Sequence, residues 1–544
     1  MKYDLGPYTC PVTTSSSDAQ AWFDQGLLWT YGYNHEEAVT CFEAAAAADE
    51  TCAMAHWGIA YAIGPNYNRA WETYELDEKA EVLARALGAL ERAKVHAASA
   101  TAAEQGLIEA LATRYPNDAA TEDFGPWDDA FADAMRGVHK RHPDNLEICT
   151  VFAEAMMNRT PWALWDLKSG SVADGADTTE IISVIETALD QVEGAWDHAG
   201  LLHLYVHVME MSPHPEKALR HGDRLRQLVP DAGHLLHMPT HIDVLCGEYQ
   251  NVVDRNGEAI VANRRYYVHR GADNFYSFYR AHDYHFRVYG AMFLGQHSVA
   301  LQAADEMVET LPESVIRSLA DFLECYVSVK QHVQIRFGQW QEILDTALPE
   351  DTELYCYTLA ILRYARTVAL ANLGRMGEAD AEAELFRQAG AAVPESRAVI
   401  TNTAKDVLQV AEQMMLGELA YHKGEHEKAF EHLRQSVHLD DNLAYDEPWG
   451  WMQPTRHALG ALLLEQGRYE EAEAVYRADL GLDATLSRAC QHPNNVWSLH
   501  GLYECLQRRG ETVEAPHIKQ QLDRAVARAE VPIRSSCYCR KAAA

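Results

Sequence analysis

Residues 22–49, WFDQGLLWTYGYNHEEAVTCFEAAAAAD, contain two helical segments separated by a short turn. Small and large residues alternate in them at fixed spacing, with Gly26 and Ala38 small and Trp29 and Phe42 large. Small side chains allow neighbouring helices to approach closely, and the large side chains fill the space above them. The stretch therefore predicts a packed helix pair that stacks on further pairs to bury one continuous core.

The same spacing recurs near the end of the chain, in LGALLLEQGRYEEAEAVYRADL over 459–480, where Gly460 and Ala472 are small and Leu463 and Tyr476 are large. A third copy consists of Gly417, Ala420, Ala429 and Leu433. These three segments resemble the tetratricopeptide-repeat superfamily, whose units are helix–turn–helix pairs. The resemblance implies an all-α fold, a tetratricopeptide-like α-solenoid of stacked helix pairs.

Helical periodicity extends through most of the chain, while the alternation typical of strands is almost absent. We therefore predict a single α-solenoid over residues 1–544. Repeats in 20–300 are expected to carry a metal pocket, with further repeats in 301–510 and a C-terminal helix and tail in 511–544.

Charge and composition exclude several classes of partner. The 544 residues include 46 lysines and arginines against 80 aspartates and glutamates, a net charge of −34. Such an acidic surface repels phosphate, so we expect neither nucleic acid nor a membrane as partner. No apolar run reaches the ~20 residues of a membrane helix, and the start of the chain lacks a secretory signal pattern. A cytoplasmic protein is expected.

The eleven cysteines show no spaced framework, so reduced and mostly buried thiols are expected. Cys537 and Cys539 near the end of the chain offer two ligands to a soft metal, although a mobile tail is the simpler expectation.

Histidines concentrate in the middle of the chain, where residues 198–297 hold 12 of the 26. In HAGLLHLYVHVMEMS, His203, His207 and Glu210 stand at i, i+4 and i+7 and so project from one helix face. Two histidines one turn apart are the spacing by which a helix supplies two imidazoles to one metal. The carboxylate one turn further on is a candidate ligand, bridge or general base.

A second stretch, DAGHLLHMPTHIDVLCG, places His234, His237 and His241 at i, i+3 and i+7. Pro239 complicates a continuous helix because it lacks a backbone donor. If the helix begins near His237, then Pro239 lies in its first turn and His234 in the preceding loop. In either case His237 and His241 lie one turn apart.

A third stretch, RAHDYHFRVYGAMF, places His282, His285 and Tyr289 on one face, and Glu154 and Asn158 stand at i and i+4 earlier in the chain. Each of these stretches precedes a break and a second helix, so we assign them to the first helices of successive units. Such helices lie side by side in a solenoid, about 10 Å apart. We therefore expect their polar faces to converge on one metal pocket.

The ligand set is rich in nitrogen, which disfavours magnesium and calcium and favours copper, with iron and zinc as alternatives. The predicted metal ligands are His203, His207, Glu210, His234, His237, His241, His282 and His285. Because a single zinc needs only three protein ligands, this number suggests two ions. We predict a metal-dependent oxidoreductase that acts on a small organic substrate with oxygen, with Glu210 and Tyr289 as catalytic residues. The predicted substrate-binding residues are His56, Trp57, Tyr61, Asn66, Asn68, Glu154, Asn158 and Trp162.

Two alternatives remain open from the sequence. The first is a zinc-dependent hydrolase in which Glu210 acts as general base on a metal-bound water. The second is a non-catalytic tetratricopeptide scaffold that binds peptides, and a protein partner on the remaining repeat surface is compatible with every interpretation.

Several longer strings resemble a bacterial and fungal family of tetratricopeptide-like proteins with histidine-rich central motifs. They are YNHEEA (33–38), CAMAHWGIAYAIGPNYN (52–68), HLYVHVMEMSPHPEKAL (203–219), AGHLLHMPTHI (232–242) and YDEPWGWMQPTR (445–456). This resemblance implies the fold and a site, but it implies no reaction.

Overall fold

The computed structural model describes residues 2–119 and 121–540, and α-helices dominate them, which confirms the predicted all-α fold. The chain divides into two compact units. The first comprises Met1–Ile242 with Val261–Asn263, and the second comprises Asp243–Ile260 with Arg264–Ala544. The prediction of one solenoid over 1–544 stays a prediction.

Helices α1 to α12 begin in the first unit. Their bounds are α1 Ser17–Tyr31, α2 His35–Ala48, α3 Ala53–Ala62, α4 Leu76–His96, α5 Ala102–Arg114, α6 Gly125–Arg141, α7 Leu146–Met157, α8 Thr178–Gln191, α9 Ala199–Glu210, α10 Leu219–Leu225, α11 Gly233–His237 and α12 Pro239–Cys246. Short 3-10 turns lie at Trp71–Thr73, Ala97–Ser99, Ala195–Asp197 and Pro215–Ala218.

The second unit contains the remaining helices and one small antiparallel hairpin. The helices are α13 Tyr249–Arg270, α14 Tyr276–Leu294, α15 His297–Glu309, α16 Glu313–Ser318, α17 Ala320–Leu323, α18 Val329–Arg336, α19 Trp340–Asp345, α20 Cys356–Asn372, α21 Met376–Ala392, α22 Ala404–His422, α23 His426–Asp440, α24 Thr455–Glu465, α25 Tyr469–Asp479, α26 Val496–Arg508 and α27 Ala515–Val526. Strands β1 Ala398–Val399 and β2 Asn402–Thr403 pair with each other, and 3-10 turns lie at Glu324–Ser328 and Arg488–Cys490.

Close contact between small and large residues builds the helix pairs, as the spacing predicts. A Cβ atom on Gly26 of α1 would lie 2.7 Å from the ring of Phe42 on α2. The equivalent pair in the second unit is Gly460 on α24 and Tyr476 on α25, where the distance would be 2.5 Å. Both distances are too short for a real side chain, so glycine is required for the two helices to pack.

Pro239 divides the second histidine stretch into two helices. Because proline lacks a backbone donor and clashes with the preceding turn, the chain breaks at Met238 and Pro239 becomes the first residue of α12. His234 and His237 both lie on the one-turn helix α11. The expectation that His234 lies in a loop is therefore wrong, since the residues before the break form a helix of their own.

Two further findings bear on the composition arguments. Among the described residues, no helix is long and apolar enough to cross a lipid bilayer. Cys537 and Cys539 are joined by a disulfide, whereas the other nine cysteines are free thiols. The expectation of reduced thiols is therefore wrong for this pair.

Candidate metal centre

His203, His207 and His234 form a buried cluster in the first unit. Helix α9 supplies the first two and helix α11 supplies the third, and each is at most 1% exposed. One ring nitrogen from each imidazole lies within 4.8 Å of the other two. The structure thus brings together three of the predicted metal ligands, with three potential donor atoms facing one another.

The outer nitrogens of two of these rings are held by hydrogen bonds. His203 donates from Nδ1 to the backbone carbonyl of Tyr31 at 2.7 Å, and His207 donates from Nδ1 to Oε1 of Glu210 at 2.9 Å. These bonds fix the tautomer in which Nε2 carries a lone pair. Neither Nε2 atom has a hydrogen-bond partner among the described residues. A carbonyl or carboxylate behind the ring is the usual support of a metal-binding histidine.

Glu210 joins this cluster to the other predicted histidine pair. Its second oxygen, Oε2, lies 2.8 Å from Nδ1 of His241. Nε2 of His241 in turn lies 2.9 Å from Nε2 of His237, within hydrogen-bond distance. Glu210 therefore contacts two imidazoles: it accepts a hydrogen bond from His207 and lies within ion-pair distance of His241.

Burial determines the protonation states of the cluster. Removal from water lowers the pKa of His203, His207 and His234 well below the ordinary value, and the neighbouring imidazoles lower the pKa further. Burial also raises the pKa of Glu210, although the adjacent His241 opposes this effect. The three histidines are thus neutral at pH 7, which is the form that binds a metal ion.

Tyr33 lies against all three imidazoles. Its ring centroid is 4.6 Å from that of His203, 5.3 Å from that of His234 and 5.8 Å from that of His207. The residue occupies the turn between α1 and α2 with φ of 51°, a left-handed conformation that is uncommon for a bulky side chain. Such strain persists only where surrounding contacts demand it, and here it places the phenol ring on the cluster.

Two further aromatic residues enclose His207. Tyr67 lies 5.1 Å from His207 between ring centroids, and Trp162 lies 6.0 Å away and stacks on Tyr67 at 5.3 Å. Trp162 also has positive φ, at 57°. The predicted substrate-binding residue Trp162 is therefore beside the histidines. Sequence reasoning missed Tyr33 and Tyr67 as site residues, although both lie in motifs that it singled out.

Other predicted substrate-binding residues make contacts of their own in the first unit. The Trp57 ring stacks on Tyr61 at 4.9 Å and its Nε1 donates to the Leu107 carbonyl, while the Tyr61 hydroxyl donates to Glu154. His56 donates from Nε2 to the carbonyl of Glu50 at 3.0 Å. These contacts account for the burial of the side chains, and their predicted role in substrate binding stays a prediction.

The predicted amide residues occupy turns and helix ends. Asn66 accepts hydrogen bonds at Oδ1 from the backbone of Asn68 and Arg69, at 2.9 and 3.0 Å, which closes the turn after α3. Asn158 ends α7, where its backbone N–H donates to the carbonyl of Glu154. The Asn66 side chain thus has a structural role, and substrate binding by Asn66, Asn68 and Asn158 stays a prediction.

Three of the predicted site residues lie on α14 in the second unit. The ring of His282 packs against Phe286 at 5.1 Å, and Nε2 of His285 lies 2.7 Å from Sδ of Met452. Burial lowers the pKa of His285 to about 3. The Tyr289 hydroxyl donates to Nε2 of His492 at 3.1 Å. Metal binding by His282 and His285 and catalysis by Tyr289 stay predictions.

A second histidine cluster, around Asp479, was missed from the sequence. Asp479 accepts from Nε2 of His457 at 3.1 Å and from Nδ1 of His492 at 2.9 Å. Asn495 and Ser498 donate to the same carboxylate at 2.9 and 2.6 Å. Although burial opposes ionisation, the two histidines hold the pKa of Asp479 well below its ordinary value. The four residues that donate to Asp479 lie 13 to 22 residues from it in the chain, so helical spacing does not reveal the cluster.

A sequence model of the tetratricopeptide repeat matches residues 454–485, which contain α24 and α25. The match confirms the assignment to the tetratricopeptide-repeat superfamily at this repeat. No curated protein matches the chain.

Solved structures that are similar include the APC/C hetero-tetramer Cut9–Hcn1, 12% identical over 93% of this chain and 76% of that chain, with a TM-score of 0.31. The human IFIT1 dimer with m7Gppp-AAAA is 11% identical over 87% of this chain and 90% of that chain, with a TM-score of 0.33. The tetratricopeptide domain of P58(IPK) is 11% identical over 92% of this chain and all of that domain, with a TM-score of 0.22. TM-scores this low carry no argument about function.

Proposed function

We propose that the first unit binds a transition-metal ion through His203, His207 and His234, and that the protein is a metal-dependent oxidoreductase acting on a small organic substrate with oxygen. The proposal depends on one observation. Two buried imidazoles have their Nδ1 atoms fixed by hydrogen bonds and their Nε2 atoms without a hydrogen-bond partner among the described residues, and one nitrogen of each lies within 4.8 Å of a third imidazole. Without a ligand, a buried nitrogen lone pair of this kind costs free energy of about 1–3 kcal/mol, which a metal bond offsets.

Three neutral imidazoles suit copper, iron and zinc, and of these copper has the highest intrinsic affinity for nitrogen ligands. Copper and iron exchange electrons with oxygen, whereas zinc does not. The aromatic rings of Tyr33, Tyr67 and Trp162 would limit the access of water to the ion and lower the polarity around it, which would tune the redox potential of copper or iron. We therefore retain copper as the first candidate and iron as the second.

The zinc-hydrolase alternative is supported by the same three imidazoles, which are a known ligand set of catalytic zinc. It also requires a base that can take a proton from the metal-bound water. Both oxygens of Glu210 already face ring nitrogens, at 2.9 Å for His207 and 2.8 Å for His241. Glu210 is therefore better placed to orient the ligands than to accept a proton from water, which favours the oxidoreductase.

The test is elemental analysis of protein purified without chelator or affinity metal, together with its absorption spectrum. We expect about one equivalent of copper or iron per protein chain. We expect His207→Ala to lose this metal with little change in the helical circular-dichroism signal. His214→Ala is the matched control, because this imidazole is 61% exposed in the same unit and its removal should leave the metal content unchanged.

Oxygen dependence separates the two enzyme classes. An oxidoreductase should consume oxygen with a suitable substrate and stop when oxygen is withdrawn, whereas a zinc hydrolase should be colourless and indifferent to oxygen. If the purified protein contains no metal, and copper, iron and zinc bind equally weakly to the wild type and to His207→Ala, the metal-centre proposal is wrong. A peptide-binding scaffold would then be the remaining interpretation.

A further inference from the structure

The segment Ser535–Arg540 is firmly held in the second unit, contrary to the expectation of a mobile tail. Arg336 donates to the carbonyl of Ser536 at 2.6 Å, and the Ser536 hydroxyl donates to the carbonyl of His457 at 2.8 Å. Tyr476 donates to the same hydroxyl at 2.6 Å. Arg540 forms a bidentate ion pair with Glu504, with N–O distances of 2.7 and 3.0 Å. Anchors on both sides thus fix the two cysteines between them.

Cys537 and Cys539 lie beside a buried carboxylate. Their sulfur atoms and one oxygen of Glu418, on α22, lie within 4.8 Å of one another. Cys537 is 9% exposed, and Cys539 and Glu418 are each 1% exposed. Two sulfur atoms and a carboxylate oxygen are therefore enclosed together in the second unit.

Glu418 is the unusual member of this group. Neither of its oxygens has a hydrogen-bond partner at normal distance among the described residues. Burial raises its pKa to about 7, and Asn372 and Arg336 offset only part of that effect. A buried carboxylate without a close partner is costly, and a bound cation is one way in which proteins compensate such a group.

We propose that Cys537, Cys539 and Glu418 form a second metal site, for zinc or a similar borderline ion, which becomes available when the disulfide is reduced. Reduction by a thiol or phosphine adds two electrons and two protons to the S–S bond and yields two thiols. Metal binding then releases both protons, because the thiolate is the form that coordinates. The ion would be held by two sulfurs and one oxygen.

The neighbouring His457 does not belong to this ligand set. Its Nε2 atom donates to Asp479 and its Nδ1 atom accepts from Arg336 at 2.8 Å, so both ring nitrogens are engaged. Three protein ligands leave one position of a tetrahedral zinc ion for water or a small ligand. This site has two sulfur ligands, whereas the three-imidazole cluster has none. The proposal of a second metal site is therefore independent of the function proposed above.

The test uses the full-length protein in its reduced and oxidised forms, with Co²⁺ as the spectroscopic probe and Zn²⁺ as the competitor. Alkylation and mass spectrometry first establish that a phosphine reduces the Cys537–Cys539 bond in the folded protein. We expect the reduced protein to bind one more equivalent of Co²⁺ than the oxidised protein. The additional ion should show a sulfur-to-metal charge-transfer band, which imidazole ligands cannot produce, and Zn²⁺ should remove it.

Variants then identify the ligands. The double variant Cys537→Ser, Cys539→Ser should lose the band, and Glu418→Gln should keep it but bind Co²⁺ roughly tenfold or more weakly. Cys10→Ser should retain wild-type behaviour. The proposal is overturned if the disulfide resists reduction in the folded protein, if the reduced wild type shows no band, or if the band persists in the double serine variant.

Discussion

Both histidine clusters are buried, but they differ in what their ring nitrogens contact. In the second unit, both nitrogens of His457 and both nitrogens of His492 are hydrogen-bonded, to Asp479, Arg336 and Tyr289. In the first unit, the Nε2 atoms of His203 and His207 have no such partner among the described residues. Burial alone therefore does not identify a ligand site. The decisive feature is a buried lone pair whose ring is already oriented from the other side.

The comparison implies different roles for the two central carboxylates. Asp479 accepts four hydrogen bonds, from His457, His492, Asn495 and Ser498, and so completes a network that needs no further ligand. Glu210 accepts from His207, lies within ion-pair distance of His241, and leaves the Nε2 lone pair of His207 available. We therefore expect Asp479 to contribute to the free energy of unfolding and Glu210 to contribute to metal affinity.

The largest expected effect is on folding. Asp479→Ala leaves four buried donors without their acceptor, so we expect the free energy of unfolding to fall by about 3–5 kcal/mol. Urea denaturation followed by circular dichroism measures it, and Asp273→Ala, at an exposed position, is the control. Metal content of the folded fraction should not change. If Asp479→Ala kept its stability but lost metal, the assignment of a purely structural role to the Asp479 cluster would be wrong.

The second prediction concerns Glu210→Gln. Glutamine keeps one acceptor oxygen but presents an amide N–H₂ group to the other imidazole. One of the two rings, His207 or His241, therefore loses the contact that orients it. Loss of such a supporting carboxylate typically weakens metal binding by about 10–100-fold, and competition against a chromophoric chelator measures the change. Glu216→Gln, at an exposed side chain of the same unit, should bind as the wild type does. Equal metal affinities for the wild type, Glu210→Gln and Glu216→Gln would mean that Glu210 does not support the metal centre.

The sequence predicted the helix pairs and the shared face of His203 and His207, because both depend on spacing within one or two helices. It could not predict which ring nitrogens are occupied. The partner of His203 Nδ1 is the carbonyl of Tyr31, 172 residues away. The positive φ of Tyr33 is likewise invisible in a sequence, because tyrosine rarely adopts it.

Contacts between residues that are far apart in the chain also explain why the sequence failed to predict two other features. The Asp479 network joins residues from α24, α25 and α26 that share no helical period. The segment near Cys537 was expected to be mobile because it lies near the end of the chain, yet Arg336 holds its backbone from 200 residues away. Local patterns predict elements well, whereas contacts between distant elements decide which polar groups remain available for a ligand.

The smallest expected effect is the dependence of stability on pH in metal-free protein. Burial lowers the pKa of His285 to about 3 and that of His332 to about 4. In the unfolded chain both histidines titrate near 6.5. As the pH falls from 6.5 towards 5, the unfolded chain binds protons that the folded protein does not, so stability decreases. Each such histidine contributes about 1 kcal/mol per pH unit in this window.

Replacement of one of them tests the argument. In His285→Leu the unfolded chain has one fewer group to protonate, so the loss of stability between pH 6.5 and 5 should be smaller by about 1 kcal/mol per pH unit. Urea denaturation at several pH values measures the slope, and His438→Leu is the control, because His438 is exposed in the folded protein. Equal slopes in the wild type and His285→Leu would mean that the His285 ring is protonated in the folded protein, in conflict with its buried contact to Met452.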